Sequence, residues 1–312
     1  MLRRLVAKNF RCFRSVDVPL RPLTVLVGPN DSGKSAFLDC LQRLSVNLSV
    51  DDSIHWRFDP NRSVEISGDA DEGSVRFGHP PNHEGWPAPF LHPTGLFCLP
   101  PHGVAMESPG YPDEKGAQPL GYDGSGVPSL LDYLLRRDQK RFFDMVDAVR
   151  KLVPGLDELG IATPKSETRR LDLVIENGLR IPAAQASSGV RLLLFFISLA
   201  FHPSPPKLIL LEEPENGIHP KRLADIVRLL REVSQGVHGG NAAQVVLTTH
   251  SPYLLDHIDL ETDQVLVFRR NDDGTRSAEP VDVSRLKNFL DEFMLGEVWF
   301  NEEEKGLIAQ QA

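Results

Sequence analysis

The residues able to do chemistry fall in four short stretches of the chain. GPNDSGKS, residues 28–35, sets Gly28, Gly33, Lys34 and Ser35 at the spacing G-x-x-x-x-G-K-[ST]. Glycines at those places let backbone N–H groups turn inward around phosphate oxygens. A helix starting there presents its positive end to an anion. Lys34 would reach the β- and γ-phosphates and the Ser35 hydroxyl would ligate Mg²⁺, so Gly28, Pro29, Asn30, Asp31, Ser32, Gly33, Lys34 and Ser35 are candidate nucleotide-binding residues.

The second stretch is LILLEEPENGIHP, residues 208–220. An apolar run ends in adjacent acids, which repel one another and are costly to bury unless paired or bound to a cation. A phosphate loop resolves the problem. Glu212, at the strand end, would hold Mg²⁺ with Ser35, and Glu213 would orient an attacking water once the backbone turns at Pro214. The third stretch, AQVVLTTHSPYLLD, is a second buried run ending in Thr248, Thr249 and His250. His250 would stand beside the γ-phosphate, with Ser251 capping the next helix and Pro252 in its first turn. The fourth, AQASSGVRLLLFF, puts Ser187, Ser188 and Gly189 at the head of an apolar helix. That pattern reads as plain serine capping or as a second phosphate-binding terminus, supplied to another protomer's site.

These stretches need elements to hold them. LRRLVAKNF, SVDVPL and LTVLVG read as strands, and Phe37, Leu38, Leu41 and Leu44 follow at helical spacing. SVEIS and SVRFG would pair, and residues up to 128 are rich in Pro and Gly, as in a loop-rich insertion. Residues 129–152 restore a helical period that Pro154 and Gly155 end, and 171–183 looks like a hairpin. Helix 188–201, strand 207–212, helix 219–235 and strand 243–249 then alternate, the pattern of a parallel sheet covered by helices. VLVFRR and TRSAEPV read as short strands joined by an NDDG turn, and SRLKNFLDEFML as a closing helix.

Composition narrows the classes. The 312 residues are 41% hydrophobic and 25% charged, with 43 acids against 34 bases and a net charge of -9. That balance argues against a uniformly basic nucleic-acid binder, although Arg136, Arg137, Lys140 and Arg141 would share a helix face able to meet DNA. The 3 cysteines, Cys12, Cys40 and Cys98, are scattered and form no CxxC pair, which fits a reducing cytoplasm. LLLFFISLAF is about ten residues, too short for a bilayer span, so no membrane association is expected.

In this order the four stretches resemble the ABC-type ATPases of the SMC/RecF/OLD group, AAA-family ATP-binding proteins. The resemblance implies an α/β P-loop NTPase with an ABC-ATPase-type core, an antiparallel β-subdomain and an inserted helical lobe. It makes 28–35 Walker A, 208–213 Walker B, Glu215 to His219 the D-loop region and Ser187, Ser188 and Gly189 the signature acting in trans. Glu213 and His250 become the catalytic glutamate and switch histidine, with ATP and Mg²⁺ as ligands and a homodimer closing on ATP. Glu212 departs from the usual aspartate, and Ala186 from the usual leucine.

The expected layout is 1–50 for the first part of the core, 51–183 for the β-subdomain and insertion, and 184–312 for the rest. Without heptads, and with about 60 residues after His250, neither coiled-coil arms nor a C-terminal nuclease domain is expected. The implied role is a motor or switch in DNA maintenance, such as DNA repair, or in antiviral (anti-phage) defence, working on a separate effector protein, with DNA as a further partner. A nucleotide-gated scaffold and a transporter ATPase subunit are the alternatives.

Overall fold

The computed structural model describes residues 1–45, 54–56, 61–79, 94–165, 167–284, 286 and 293–307. Two compact units form: residues 1–96, 206–213 and 244–312 make the first, and 97–205 with 214–243 the second.

The first unit begins with β1 (Leu2–Phe10) and β2 (Phe13–Pro19), which pair antiparallel. β3 (Leu23–Val27) then leads into α1 (Lys34–Ser45). β4 (Val64–Ala70) and β5 (Gly73–His79) form the expected hairpin and complete an antiparallel sheet in the order β2-β1-β4-β5. Alternation along these strands turns Leu5, Ala7, Val16, Val18, Val64 and Ile66 toward one core, which Phe37, Leu38, Leu41 and Leu44 of α1 also enter.

The larger sheet uses β3 at its centre. A short strand, β6 (Thr94–Phe97), lies at one edge, in the segment expected to be loop-rich. The remaining strands come after the second unit's main elements, which are β7 (Glu107–Pro109), α2 (Val127–Arg137), α3 (Gln139–Leu152), β8 (Leu156–Lys165), β9 (Thr168–Ile175), β10 (Leu179–Pro182) and α4 (Ser188–Ala200). β11 (Leu208–Glu212) follows, then α5 (Leu223–Gln235), β12 (Gln244–Thr249), the single turn α6 (Pro252–Leu255), β13 (Gln264–Arg270), β14 (Arg276–Pro280) and α7 (Leu295–Leu307). The six-stranded order is β14-β13-β3-β12-β11-β6. β11 and β12, β12 and β3, and β3 and β13 run parallel, while β14 returns antiparallel. β3 and β12 are buried along their whole length, which explains the apolar runs Val25–Val27 and Val245–Leu247 within them. The expected closing helix at 284–295 lies mostly outside the described residues; the helix described here is α7.

In the second unit β9 pairs with β7, β8 and β10, all antiparallel. The expected single helix at 129–152 is two. Asp138 ends α2, its N–H donating to Leu134 O, and its side chain then caps α3 by accepting from Arg141 N at 3.2 Å. A cap of this kind is worth about 1 kcal/mol, and the break falls at it although the apolar period continues on either side. The basic cluster is thereby divided between two helices, with Arg136 on Asp132 at 2.9 Å and Arg141 on Asp138 at 2.9 Å. Among the described residues no helix is long and apolar enough to cross a membrane.

Candidate functional site

Strand register brings the candidate residues to one edge of the six-stranded sheet. Glu212 pairs with Thr248, and Thr248 and Thr249 pair with Leu26 and Val27. Gly28, Glu213 and His250 are the residues next in sequence after these strands, so they leave the sheet side by side. The carboxyl edge of a parallel sheet is where ligands of such folds sit.

The loop from Gly28 to Ser35 is shaped by contacts that only glycine permits. Gly28 has φ +150°, and a Cβ there would come within 2.3 Å of the Phe268 carbonyl oxygen. Gly33 has φ +106°, and its Cβ would meet the Phe13 ring at 2.9 Å. Behind them, Phe268 packs on Phe13 and, edge-on, on Phe37, which seats the loop on the core. Phe37 N donates to Gly33 O at 2.9 Å and opens α1.

Lys34 is 7% exposed. Its ammonium donates to Gly28 O at 2.7 Å and Pro29 O at 2.9 Å, so the charge is held at the loop's mouth. The Ser35 side chain is open to solvent. Ser32 Oγ is buried without a hydrogen-bond partner, a costly arrangement. A loop that tolerates no Cβ at Gly28, carries an unpartnered hydroxyl and presents a lysine and a serine fits a phosphate chain with its cation.

The acidic strand end is built differently. The backbone reverses at Glu213 itself, with φ 43°, rather than at Pro214. Its N–H donates to Thr248 Oγ1 at 3.1 Å. The turned side chain puts Oε1 3.4 Å from His250 Nε2. Burial lowers the His250 pKa, the nearby Lys34 charge lowers it further, and Glu213 opposes both. The imidazole is therefore neutral at pH 7 and electrostatically joined to the lysine of one stretch and the glutamate of another. Glu212 is half-buried at the end of β11. Ser251 caps α6, accepting from Leu254 N at 3.3 Å.

Ser187, Ser188 and Gly189 lie in the second unit. Ser187 caps α4 by accepting from Val190 N at 3.4 Å, and all three residues keep some exposure. Within the same unit, Gly217 of the turn at 215–219 has φ +84° and would, with a Cβ, meet Pro101 O at 2.3 Å. The NDDG stretch is a turn as expected, with Asn271 N donating to Thr275 O at 2.9 Å.

The sequence pattern did not single out Thr248 as an anchor for Glu213, nor Arg276, which reaches the phosphate loop from β14. The position of Thr248 next to the end of a buried strand was a readable signal. Arg276 is separated from its partner by 245 positions and carries none.

Residues 1–74 match the AAA ATPase domain family. Residues 122–256 match an AAA domain family whose description also names the AbiEii toxin and a type IV TA system. An OLD nuclease of Thermus scotoductus is 25% identical over 384 aligned residues, taking in 100% of this chain and 71% of that protein. An Smc head bound to the C-winged helix domain of ScpA has a TM-score of 0.59 at 15% identity, covering 91% of this chain and 98% of that one. The chain is thus similar to AAA ATPase domains and to an OLD nuclease, and it shares the fold of an Smc head. A second Smc head, with an extended coiled coil and bound to the C-terminal domain of ScpA, derives from Pyrococcus furiosus. It has a TM-score of 0.55 at 13% identity, covering 93% and 98% of the two chains. These structural likenesses show that the chain has the fold of the Smc heads, and the family matches liken residues 1–74 and 122–256 to AAA ATPase domains.

Proposed function

We propose that the chain binds and hydrolyses ATP, closes into a homodimer on binding it and reopens after turnover. The observation that carries this reading is the convergence of Lys34, Glu213 and His250 at one sheet edge, with His250 sensing the charge of both others. Gly28 to Ser35 hold the phosphates, and Lys34 moves its donors from the loop carbonyls to phosphate oxygens. Ser35 and Glu212 hold Mg²⁺, which when bound supplies a positive charge to the phosphate oxygens. Glu213, fixed by Thr248, accepts a hydrogen bond from the attacking water and aims it at the γ-phosphate. His250, neutral at pH 7, steadies the Glu213 carboxylate.

Ser187, Ser188 and Gly189 would complete the partner protomer's site with the end of α4. The names of the relatives, an OLD nuclease and an AbiEii toxin family, support a role in DNA maintenance or anti-phage defence beside a separate effector.

Turnover and ATP-dependent self-association of the wild type and Glu213→Gln test the reading. The substitution should lower turnover by about 100-fold or more and leave a trapped dimer. A wild type that neither hydrolyses ATP nor changes its oligomeric state with it would sink the proposal. Dimerisation without wild-type turnover would instead support the nucleotide-gated scaffold.

A further inference from the structure

Position 31 of the phosphate loop is occupied by an aspartate in the left-handed region, φ 60°. A side chain is disfavoured there, although aspartate is among the least penalised. Its carboxylate is also the wrong sign for a loop that receives polyanions. The side chain is 80% exposed, so packing does not hold it.

What holds it is Arg276, the first residue of β14 and only 8% exposed. Arg276 Nε donates to the Asp31 carbonyl oxygen at 2.5 Å, and Nη2 donates to Asp31 Oδ2 at 2.5 Å. Nη1 donates to Gly274 O at 2.6 Å, so each guanidinium nitrogen has a partner. The Arg276 N–H donates to Cys12 O at 3.3 Å, which ties the start of β14 to the turn between β1 and β2. One planar fork therefore grips both the backbone and the side chain of a single loop residue, a geometry lysine cannot reproduce. The same hairpin abuts the loop's other end, where the Phe268 carbonyl faces Gly28.

We infer that Arg276 is a positioning residue for phosphate binding: it holds Asp31 in its left-handed turn and neutralises its carboxylate, so that the loop accepts a polyphosphate. The inference rests on the nucleotide-binding reading above and deepens it. Two consequences separate this role from ordinary packing. The need for Arg276 disappears when Asp31 is replaced by glycine, which has no carboxylate and adopts positive φ freely. The penalty for losing Arg276 also grows with the phosphate charge of the ligand and shrinks with salt, because part of it is repulsion from the released carboxylate.

The test is a double-mutant cycle on the full chain, with dissociation constants for ATP, ADP and AMP at low and high salt. Removing the arginine (Arg276→Ala) should weaken ATP binding about 10-fold in the wild-type background and less than about 3-fold in the Asp31→Gly background. The loss should be larger for ATP than for AMP and should diminish at high salt. Arg276→Lys should fall between wild type and Arg276→Ala. It replaces the alanine variant in the cycle if thermal melts show that variant unfolded. Equal losses in both backgrounds, or equal losses for ATP and AMP, would overturn the positioning role and leave the nucleotide-binding reading intact. A wild type that binds none of the three nucleotides would overturn both.

Discussion

The phosphate loop and the acidic strand end leave the same sheet edge, but they are restrained by different means. Gly28 and Gly33 sit against a carbonyl and an aromatic ring that leave no room for a side chain, over a packed group of phenylalanines. Glu213 donates a backbone hydrogen bond to Thr248 and lies 3.4 Å from His250, and both side chains keep about a third or more of their exposure. Backbone and core packing define the first region, while side-chain contacts that small shifts can remake define the second. A rigid cradle beside an adjustable acid suits the proposed cycle, in which nucleotide would be held throughout but acted on only in one arrangement.

That contrast requires binding to depend on the loop alone. Lys34→Ala should cost about 100-fold in ATP affinity, the scale of a lost charge-assisted interaction, while the melting temperature without nucleotide changes little. Equilibrium binding and thermal melts measure the two effects. A variant that binds ATP as the wild type does would remove the loop from the centre of the site and break the comparison.

The two regions also differ in how much of them was legible in the sequence. A phosphate loop is a local pattern, and the apolar strand before it and periodic helix after it follow the same rules. The turn at Glu213 was anticipated one residue late, at Pro214, because proline marks a reversal while positive φ in a glutamate leaves no mark. β6 was hidden by its four-residue length among prolines and glycines, where no alternation can develop. Asp138 was hidden because apolar spacing continues across it, and only its capping bond shows that one helix has ended and another begun. Arg276 was hidden because its meaning lies in a partner brought near by the fold of the whole sheet.

A smaller perturbation tests the adjustable side. Thr248→Val removes the oxygen that receives the Glu213 N–H at a position 3% exposed, with little change in volume. Leaving that donor without its partner should cost about 1 kcal/mol of stability. Turnover should fall by about 10-fold while ATP affinity stays near the wild-type value, since the cradle is untouched. Denaturant titration and steady-state kinetics read the two losses. Equal losses in affinity and turnover would show that the acidic end and the loop act as one rigid body.

The least perturbing test uses His250, which stands between the two regions. Its pKa is lowered first by burial and then by Lys34, against the opposing pull of Glu213. Because the folded value lies below the unfolded one, near 6.5, the unfolded chain takes up the proton first as pH falls. The neutral histidine's contribution is thus complete above about pH 6.5 and is lost as pH drops through the folded pKa. With His250 a third exposed, this contribution should stay below about 1 kcal/mol, so His250→Gln should only slightly flatten the acid side of a stability profile. The direction of the shift is more informative than its size. In an NMR titration of the imidazole, Lys34→Ala should raise the His250 pKa and Glu213→Gln should lower it, since each removes one of the two opposing charges. If neither substitution moves the titration, the lysine of the cradle and the acid of the strand end do not share a field, and His250 cannot link nucleotide binding to the positioning of water.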